Sequence, residues 1–260
     1  VIDWAPDRFR MNLIVMVGSL ARSEAVSFLL ENDVAIHRVI VPHGEAYGQL
    51  KERLAALGCD VVSAKKEAVL GVLLESAPSV VLCVGWPHLF PEQIVKGPWL
   101  LLNSHPTLLP KFRGPNPWYE IIAKEERECG VTIHQIDAGV DTGPIVHQES
   151  FPLTKFDTYR SLRAKVLALE PTAIYRAICA VMADTFTLRP QDESLASEYP
   201  KKRKPEDSQI DPALPLIDLI PKIRASDPET FPAFCYYNGE KVCIKLWRPH
   251  RSSGDHPDSV

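Results

Sequence analysis

At 260 residues the chain can bury a substantial core, as one large domain or as one domain with a small appendage. Hydrophobic residues make up 45% and charged residues 24%, a balance that excludes wholesale disorder. The formal net charge of −4 excludes the strong basic field that nucleic-acid binders carry.

The first ten residues are set aside as a tail, with Met11 as a candidate internal start. From Met11 onward, short β-branched runs alternate with amphipathic stretches. Residues 13–17 read as a buried strand, 23–32 as a helix and 35–41 as the next strand. A helix over 49–57 is stopped by Gly58; a short strand at 60–63 and a helix at 68–76 follow. The apolar run 79–84 makes a further strand, ending at Gly85. This alternation predicts an α/β fold: a doubly wound, mostly parallel sheet covered on both faces. Such sheets bind ligands outside the carboxyl ends of their strands. Gly18-Ser19-Leu20, after the first strand, offers neither a GxGxxG nor a Walker lysine pattern, so a standard dinucleotide or P-loop site is not expected.

Residues 99–103 form another apolar strand, leading into Asn103-Ser104-His105-Pro106. A helix over 118–124, a strand over 131–136, a loop at 137–143 and a strand over 145–149 come next. Residues 159–183 have a helical pattern that Pro171 interrupts or offsets. The composition shifts near Gln191, with the charge run Lys201-Lys202-Arg203-Lys204 and prolines at 200, 205, 212, 215 and 221. The expected organisation is a catalytic domain over 11–190, a linker over 191–211 and a small unit over 212–250, with tails at 1–10 and 251–260. That small unit reads as a helix at 214–224 and a hairpin of strands 233–237 and 241–247 around Asn238-Gly239. The tail from His250 is polar and expected to fray.

The six cysteines form no CxxC pair and no Cys/His cluster with zinc spacing, so no metal is expected. Four of them sit in apolar runs, which fits reduced, structural thiols and a cytoplasmic location. No signal peptide or membrane-length apolar run is expected.

Asn103 and His105 are two apart at a strand's end and can project to one side of a crevice. Asp141 sits in a glycine-bracketed loop, Ala138-Gly139-Val140-Asp141-Thr142-Gly143. An Asn–His–Asp set suits addition of an amine to a carbonyl. Asn103 can donate to a developing oxyanion, His105 can donate there or move a proton, and Asp141 can orient the imidazole or accept the amine's proton. The same residues also fit a hydrogen-bonded loop, with Asn103 capping a turn.

The window resembles the folate-dependent formyltransferases, among them the methionyl-tRNA, glycinamide ribonucleotide and nucleotide-sugar enzymes. Asn103-Ser104-His105-Pro106, Leu108-Leu109-Pro110, Arg113-Gly114, Gly130-Val131-Thr132 and the 137–143 loop follow that signature in order, with His105 and Asp141 36 positions apart. The resemblance implies a Rossmann-like formyltransferase domain with a small C-terminal helix-plus-hairpin unit, a catalytic set of Asn103, His105 and Asp141, and 10-formyltetrahydrofolate as formyl donor. It places the pterin against Gly85, Trp86, Pro87, His88, Leu89, Phe90 and Pro91, and against Asp137, Ala138, Gly139 and Val140. Trp86 reads equally as a core aromatic. Lys111, Arg113 and Gly114 fall on the acceptor side, where the two cations would meet a phosphate or simply solvate a loop. The short C-terminal unit and negative charge favour a nucleotide-linked amino sugar as acceptor. Methionyl-tRNA, another small amine, and a non-catalytic folate- or nucleotide-binding module are the alternatives. The 233–247 hairpin has aromatic and apolar residues on both strands, and would pack on the first domain or pair across a homodimer; neither nucleic acid nor membrane is an expected partner.

Overall fold

The computed structural model describes residues 11–260 apart from Asn116, Pro200 and Arg251. The tail over 1–10 lies outside the described residues. Strand β1 (Leu13–Val17) is buried at every position, which a strand can afford only where both sheet faces are covered. The cover comes from helices between successive strands: α1 (Ser23–Glu31), α2 (Gly48–Ala56) and α3 (Val69–Ser76) alternate with β2 (Arg38–Pro42), β3 (Val61–Ala64) and β4 (Val80–Val84). The short helix α4 (Glu92–Val95), absent from the sequence reading, precedes β5 (Leu100–His105). Then come α5 (Trp118–Ala123), β6 (Glu128–Gln135), β7 (Ile145–Pro152) and the long α6 (Tyr159–Met182).

The seven strands run in the order β3-β2-β1-β4-β5-β6-β7. The β1–β2, β2–β3, β1–β4 and β4–β5 pairs are parallel, and β6 is antiparallel to β5. The chain winds outward through β2 and β3, then returns to the other side of β1 as β4. This switch point is where a doubly wound sheet opens a crevice. It demands glycine twice. Gly18 and Gly85 follow β1 and β4, and a Cβ on Gly18 would sit 1.9 Å from the Gly85 carbonyl oxygen. Gly85 itself has φ +64°, which favours a residue without a side chain.

Helix α6 runs unbroken through Pro171, where an interruption or offset was expected. Burial of Ala173, Ile174, Ala177 and Ile178 outweighs an interior-proline penalty of about 3 kcal/mol. Two compact units divide the chain. The first takes the residues up to Pro106, Val131–Glu149 and Leu169–Gln191; the second takes Thr107–Gly130, Ser150–Ala168 and Asp192–Val260.

The second unit contains α7 (Leu216–Ala225) and the hairpin of β8 (Ala233–Tyr237) and β9 (Glu240–Ile244). Asn238 and Gly239 both have positive φ, as a two-residue hairpin turn with the strands' twist requires. Ile210, Leu219, Ile223 and Ala233 form its small core. The segment after Gln191 pairs with the loop that precedes α5: Arg113 N donates to Ser197 O (2.9 Å) and Tyr199 N to Arg113 O (2.8 Å). The polar tail does not fray as expected. Val260 N donates to Phe156 O (3.0 Å), Thr158 Oγ1 to Asp258 O (2.7 Å), and the Arg248 guanidinium lies 3.8 Å over the Phe156 ring. Local composition cannot reveal such docking, because the partners are about a hundred positions away.

Asp157 precedes α6 with its side chain wholly buried. Burial pushes its carboxyl up, but hydrogen bonds from Lys165, the Thr154 amide and Ser161 outweigh that and hold it below the ordinary range. A depressed folded value stabilises the fold above the unfolded carboxyl value of about 3.9. That stabilisation is lost as the pH falls through the folded value. Asp157→Asn should therefore cost roughly 2 kcal/mol in urea unfolding at pH 7, below the ~3–5 kcal/mol of a fully buried pair because Lys165 reaches solvent. The difference from wild type should shrink as the pH falls through the folded carboxyl value.

Candidate active site

The polar cluster begins on β5, which extends two residues further than expected, so Asn103 and His105 stand within the strand. Alternation puts their side chains on one face and Ser104 on the other. Behind the strand, the Ser104 hydroxyl donates to Glu170 Oε1 (2.6 Å), which also meets Arg22 Nη1 (3.0 Å). Ser104 and Glu170 are almost fully buried. This satisfied network holds β5 against α6 from the face opposite the cluster.

In front, the antiparallel register sets Asn103 opposite His134 and His105 opposite Thr132. His105 Nδ1 lies 3.4 Å from Asp141 Oδ2, and His134 Nε2 lies 3.6 Å from Asp141 Oδ1. One carboxylate thus faces two imidazoles, each at most 4% exposed. The structure brings Asn103, His105 and Asp141 together in the first unit and adds His134, which the sequence reading missed. The signal was present: Val131 and Ile133 supply an apolar face of β6, leaving Thr132 and His134 as a buried polar pair on the other.

His134 has a specific task. Its Nδ1 lies 2.9 Å from Gln135 O, an acceptor only, so the neutral ring carries its proton on Nδ1. Nε2 is then an acceptor for Asn103 Nδ2, 3.1 Å away. That contact fixes which end of the Asn103 amide faces the ring, and leaves the second N–H of Nδ2 for another acceptor.

Asp141 reaches the cluster from a tightly folded loop. Asp137 Oδ1 accepts from Gly139 N (3.0 Å) and Thr142 Oγ1 (2.6 Å). A Cβ on Gly143 would stand 1.8 Å from Gln135 O, so only glycine lets the loop close onto the end of β6.

Asn103, His134 and Asp141 line a cavity of 550 Å³ in the first unit, a volume suited to a small organic ligand, with His105 buried behind Asp141. Trp86, His88, Leu89 and Phe90 line it from the loop after β4, and residues 136–141 line it from the loop after β6. The Trp86 and Phe90 rings are nearly parallel at 6.3 Å, with His88 edge-on to Trp86. Trp86 also packs on the core, so both roles weighed for it coexist. Exposed Leu89 and Val140 give the cavity apolar lips. Gly85, Pro87 and Pro91 shape the loop without lining the cavity: Gly85 packs under Arg22, Pro87 approaches Gly18, and Pro91 O accepts the first amides of α4. Cys83 lines the wall, and burial pushes its thiol well above the ordinary range, so it is no nucleophile at neutral pH.

Lys111, Arg113 and Gly114 belong to the second unit. Arg113 is 2% exposed, and its guanidinium forks onto Glu193 (2.7 and 2.9 Å) with Glu198 at 3.8 Å. Lys111 Nζ lies 3.4 Å from Glu126, and Gly114 takes φ +102°. Arg113 is therefore committed to carboxylates and shut off from a phosphate, while Lys111 stays half exposed. In the charge run, Arg203 is likewise structural, stacked 3.5 Å over the Tyr119 ring and bonded to Asp207 O and Ser208.

Asn103, His105, His134 and Asp141 thus stand together in a doubly wound sheet, beside an aromatic-walled cavity. Residues 31–178 match the formyl transferase family, and the chain belongs to it. Among curated proteins it is 34% identical over 152 residues to methionyl-tRNA formyltransferase of Pseudomonas fluorescens (strain SBW25), covering 58% of this chain and 48% of that protein. The chain spans about half the length of the curated relatives it matches. A sugar N-formyltransferase from Shewanella sp FDAARGOS_354 superposes with TM-score 0.76 at 19% identity, over 94% of this chain and 100% of that one. The N-formyltransferase from Helicobacter canadensis, solved with folinic acid and dTDP-3-aminofucose, gives TM-score 0.69 at 21% identity over 90% and 86%. At these identities the structural likeness speaks for the fold.

The His134 assignment is checked by long-range imidazole ¹H–¹⁵N spectra, in which the neutral ring should show an Nδ1–H pattern. An Nε2–H pattern would reverse the orientation derived for the Asn103 amide.

Proposed function

We propose that this protein transfers a formyl group from 10-formyltetrahydrofolate to a primary amine, and that the amine belongs to a nucleotide-linked amino sugar. The observation that carries the reaction is the cluster itself: Asp141 lines the cavity 3.4 Å from His105, and Asn103, bonded to His134, lines it alongside. The cavity's residues fit a folate. Trp86, Leu89, Phe90 and Val140 offer apolar faces, and the 137–141 backbone offers donors and acceptors for a heterocycle's edge. When bound, the folate would supply an electrophilic formyl carbon.

The chain's own groups divide the remaining work. The second Nδ2–H of Asn103 donates to negative charge developing on the formyl oxygen. His105, held at its Nδ1 by Asp141, presents its other nitrogen as a proton donor or carrier. Asp141 accepts a proton from the attacking amine, directly or through water, and balances charge on the imidazole. Cys83 stays a thiol, and direct attack by the amine requires no covalent enzyme species.

For the acceptor, support comes from the sugar N-formyltransferase that this chain covers end to end. The matched curated relatives favour methionyl-tRNA instead. Compensation of Arg113 and Arg203 leaves less free positive charge for phosphates than the sequence promises.

Supplying 10-formyltetrahydrofolate with a panel of nucleotide-linked amino sugars should yield formylated product and free tetrahydrofolate. Tight, salt-sensitive binding of initiator tRNA in a gel shift would overturn the sugar reading. Asp141→Asn should nearly abolish turnover while folate binding persists; a near-wild-type rate would remove Asp141 from the chemistry. Asn103→Ala should slow turnover by about 3 kcal/mol of barrier, the cost of a lost oxyanion donor, and a change under about twofold would assign Asn103 to structure.

A further inference from the structure

We propose that Gln191 is the positioning residue for Asp141, holding its loop from the far side through the backbone. The inference rests on the role proposed for Asp141 and identifies what keeps that carboxylate between the two imidazoles.

Asp141 has φ +55°, a left-handed conformation that is strained for a side-chain-bearing residue and persists where its surroundings enforce it. Asp137 closes the first half of the loop, through Gly139 N and Thr142 Oγ1. The second half is held from outside. Gln191 Nε2 donates to Asp141 O at 2.8 Å and to Gly143 O at 2.7 Å. An amide nitrogen carries two hydrogens, so each carbonyl receives one. These carbonyls flank Thr142 and Gly143, so the two bonds fix the peptide path that leads out of Asp141.

The clamp is itself anchored. Two residues before Gln191, Arg189 exchanges both backbone hydrogen bonds with Ile145, the first residue of β7 (2.8 and 2.9 Å). Gly143 is meanwhile pressed against Gln135 O, at the end of β6. The loop is therefore pinned to β6 by steric contact and to the segment after α6 by Gln191. Gln191 is not among the residues that line the cavity, so its influence on chemistry passes through Asp141. The composition shift that marks a linker in the sequence begins at this residue.

The test compares Gln191→Ala, Gln191→Glu and Gln191→Lys with wild type in the full chain. The Glu side chain keeps the shape but, ionised, has no hydrogen to donate; the Lys side chain keeps donors. Loss of the clamp should lower kcat by about tenfold to a hundredfold, the scale of a misplaced catalytic group. The Lys variant should recover part of that loss and the Glu variant none. Since the effect runs through Asp141, the Asp141→Asn/Gln191→Ala double variant should be no slower than Asp141→Asn alone, within about twofold. Hydrogen exchange should quicken in the peptide covering 137–145 and stay unchanged elsewhere.

Multiplying losses in the double variant would make Gln191 a general stabiliser and overturn the proposal. So would unchanged rates and unchanged exchange in Gln191→Glu. If Asp141→Asn is inactive while every Gln191 variant turns over normally, the clamp alone fails. If Asp141→Asn is fully active, the proposed role of Asp141 fails, and exchange in 137–145 still decides whether Gln191 holds the loop. Should Gln191→Ala not fold, the Glu and Lys variants carry the same comparison.

Discussion

The register between β5 and β6 is the constraint on which the polar cluster depends. Pairing Asn103 with His134 and His105 with Thr132 puts four polar side chains on one face of two strands. A slip of one residue would present Val131 and Ile133 there instead. Both are fully buried on the opposite face, so the hydrophobic effect enforces the register that assembles the cluster. The arrangement also depends on β6 being antiparallel in a sheet whose other strands up to β5 are parallel. That direction runs β6 from His105 back towards Leu102, and the loop after it folds over the strands to bring Asp141 within 3.4 Å of His105.

Burial gives this cluster its character. Ser104 and Glu170 on one face, and His105 and His134 on the other, are nearly without solvent. Polar groups in such surroundings cost free energy unless each finds a partner. Behind β5 the partners are Glu170 and Arg22. In front they are Asp141, the Gln135 carbonyl and the Asn103 amide. The front set is the looser one, with carboxylate-to-imidazole distances of 3.4 and 3.6 Å. It is also the set that meets the cavity.

The second unit shows how far charge pattern can mislead. Lys111, Arg113 and the Lys201–Arg203 stretch look from the sequence like free cations near a phosphate or in a solvated linker. In the fold Arg113 is buried between Glu193 and Glu198, and Arg203 lies on Tyr119. Their acidic and aromatic partners stand some 80 positions away, beyond the reach of any local pattern. The same distance hides the docking of the last residues on Phe156 and Thr158.

What the sequence determined by itself is whatever depends on local periodicity and ordered motifs. The apolar runs became β1, β4 and β5 within a few residues of their expected bounds, because a strand buried on both faces has no other composition. Asn238-Gly239 made its hairpin, because only such residues take two positive φ angles cheaply. Asn103, His105 and Asp141 could be picked out because motif order survives divergence, and family membership follows from the same stretch. Tertiary structure alone decided that His134 completes the cluster, that Gln191 holds the Asp141 loop, and that Arg113 is spent on Glu193. Each of those is a contact between residues far apart in the chain, set by strand register and by the path of the segment after α6. Periodicity reports which face a residue occupies; it carries no information about what the other side of that face brings to meet it.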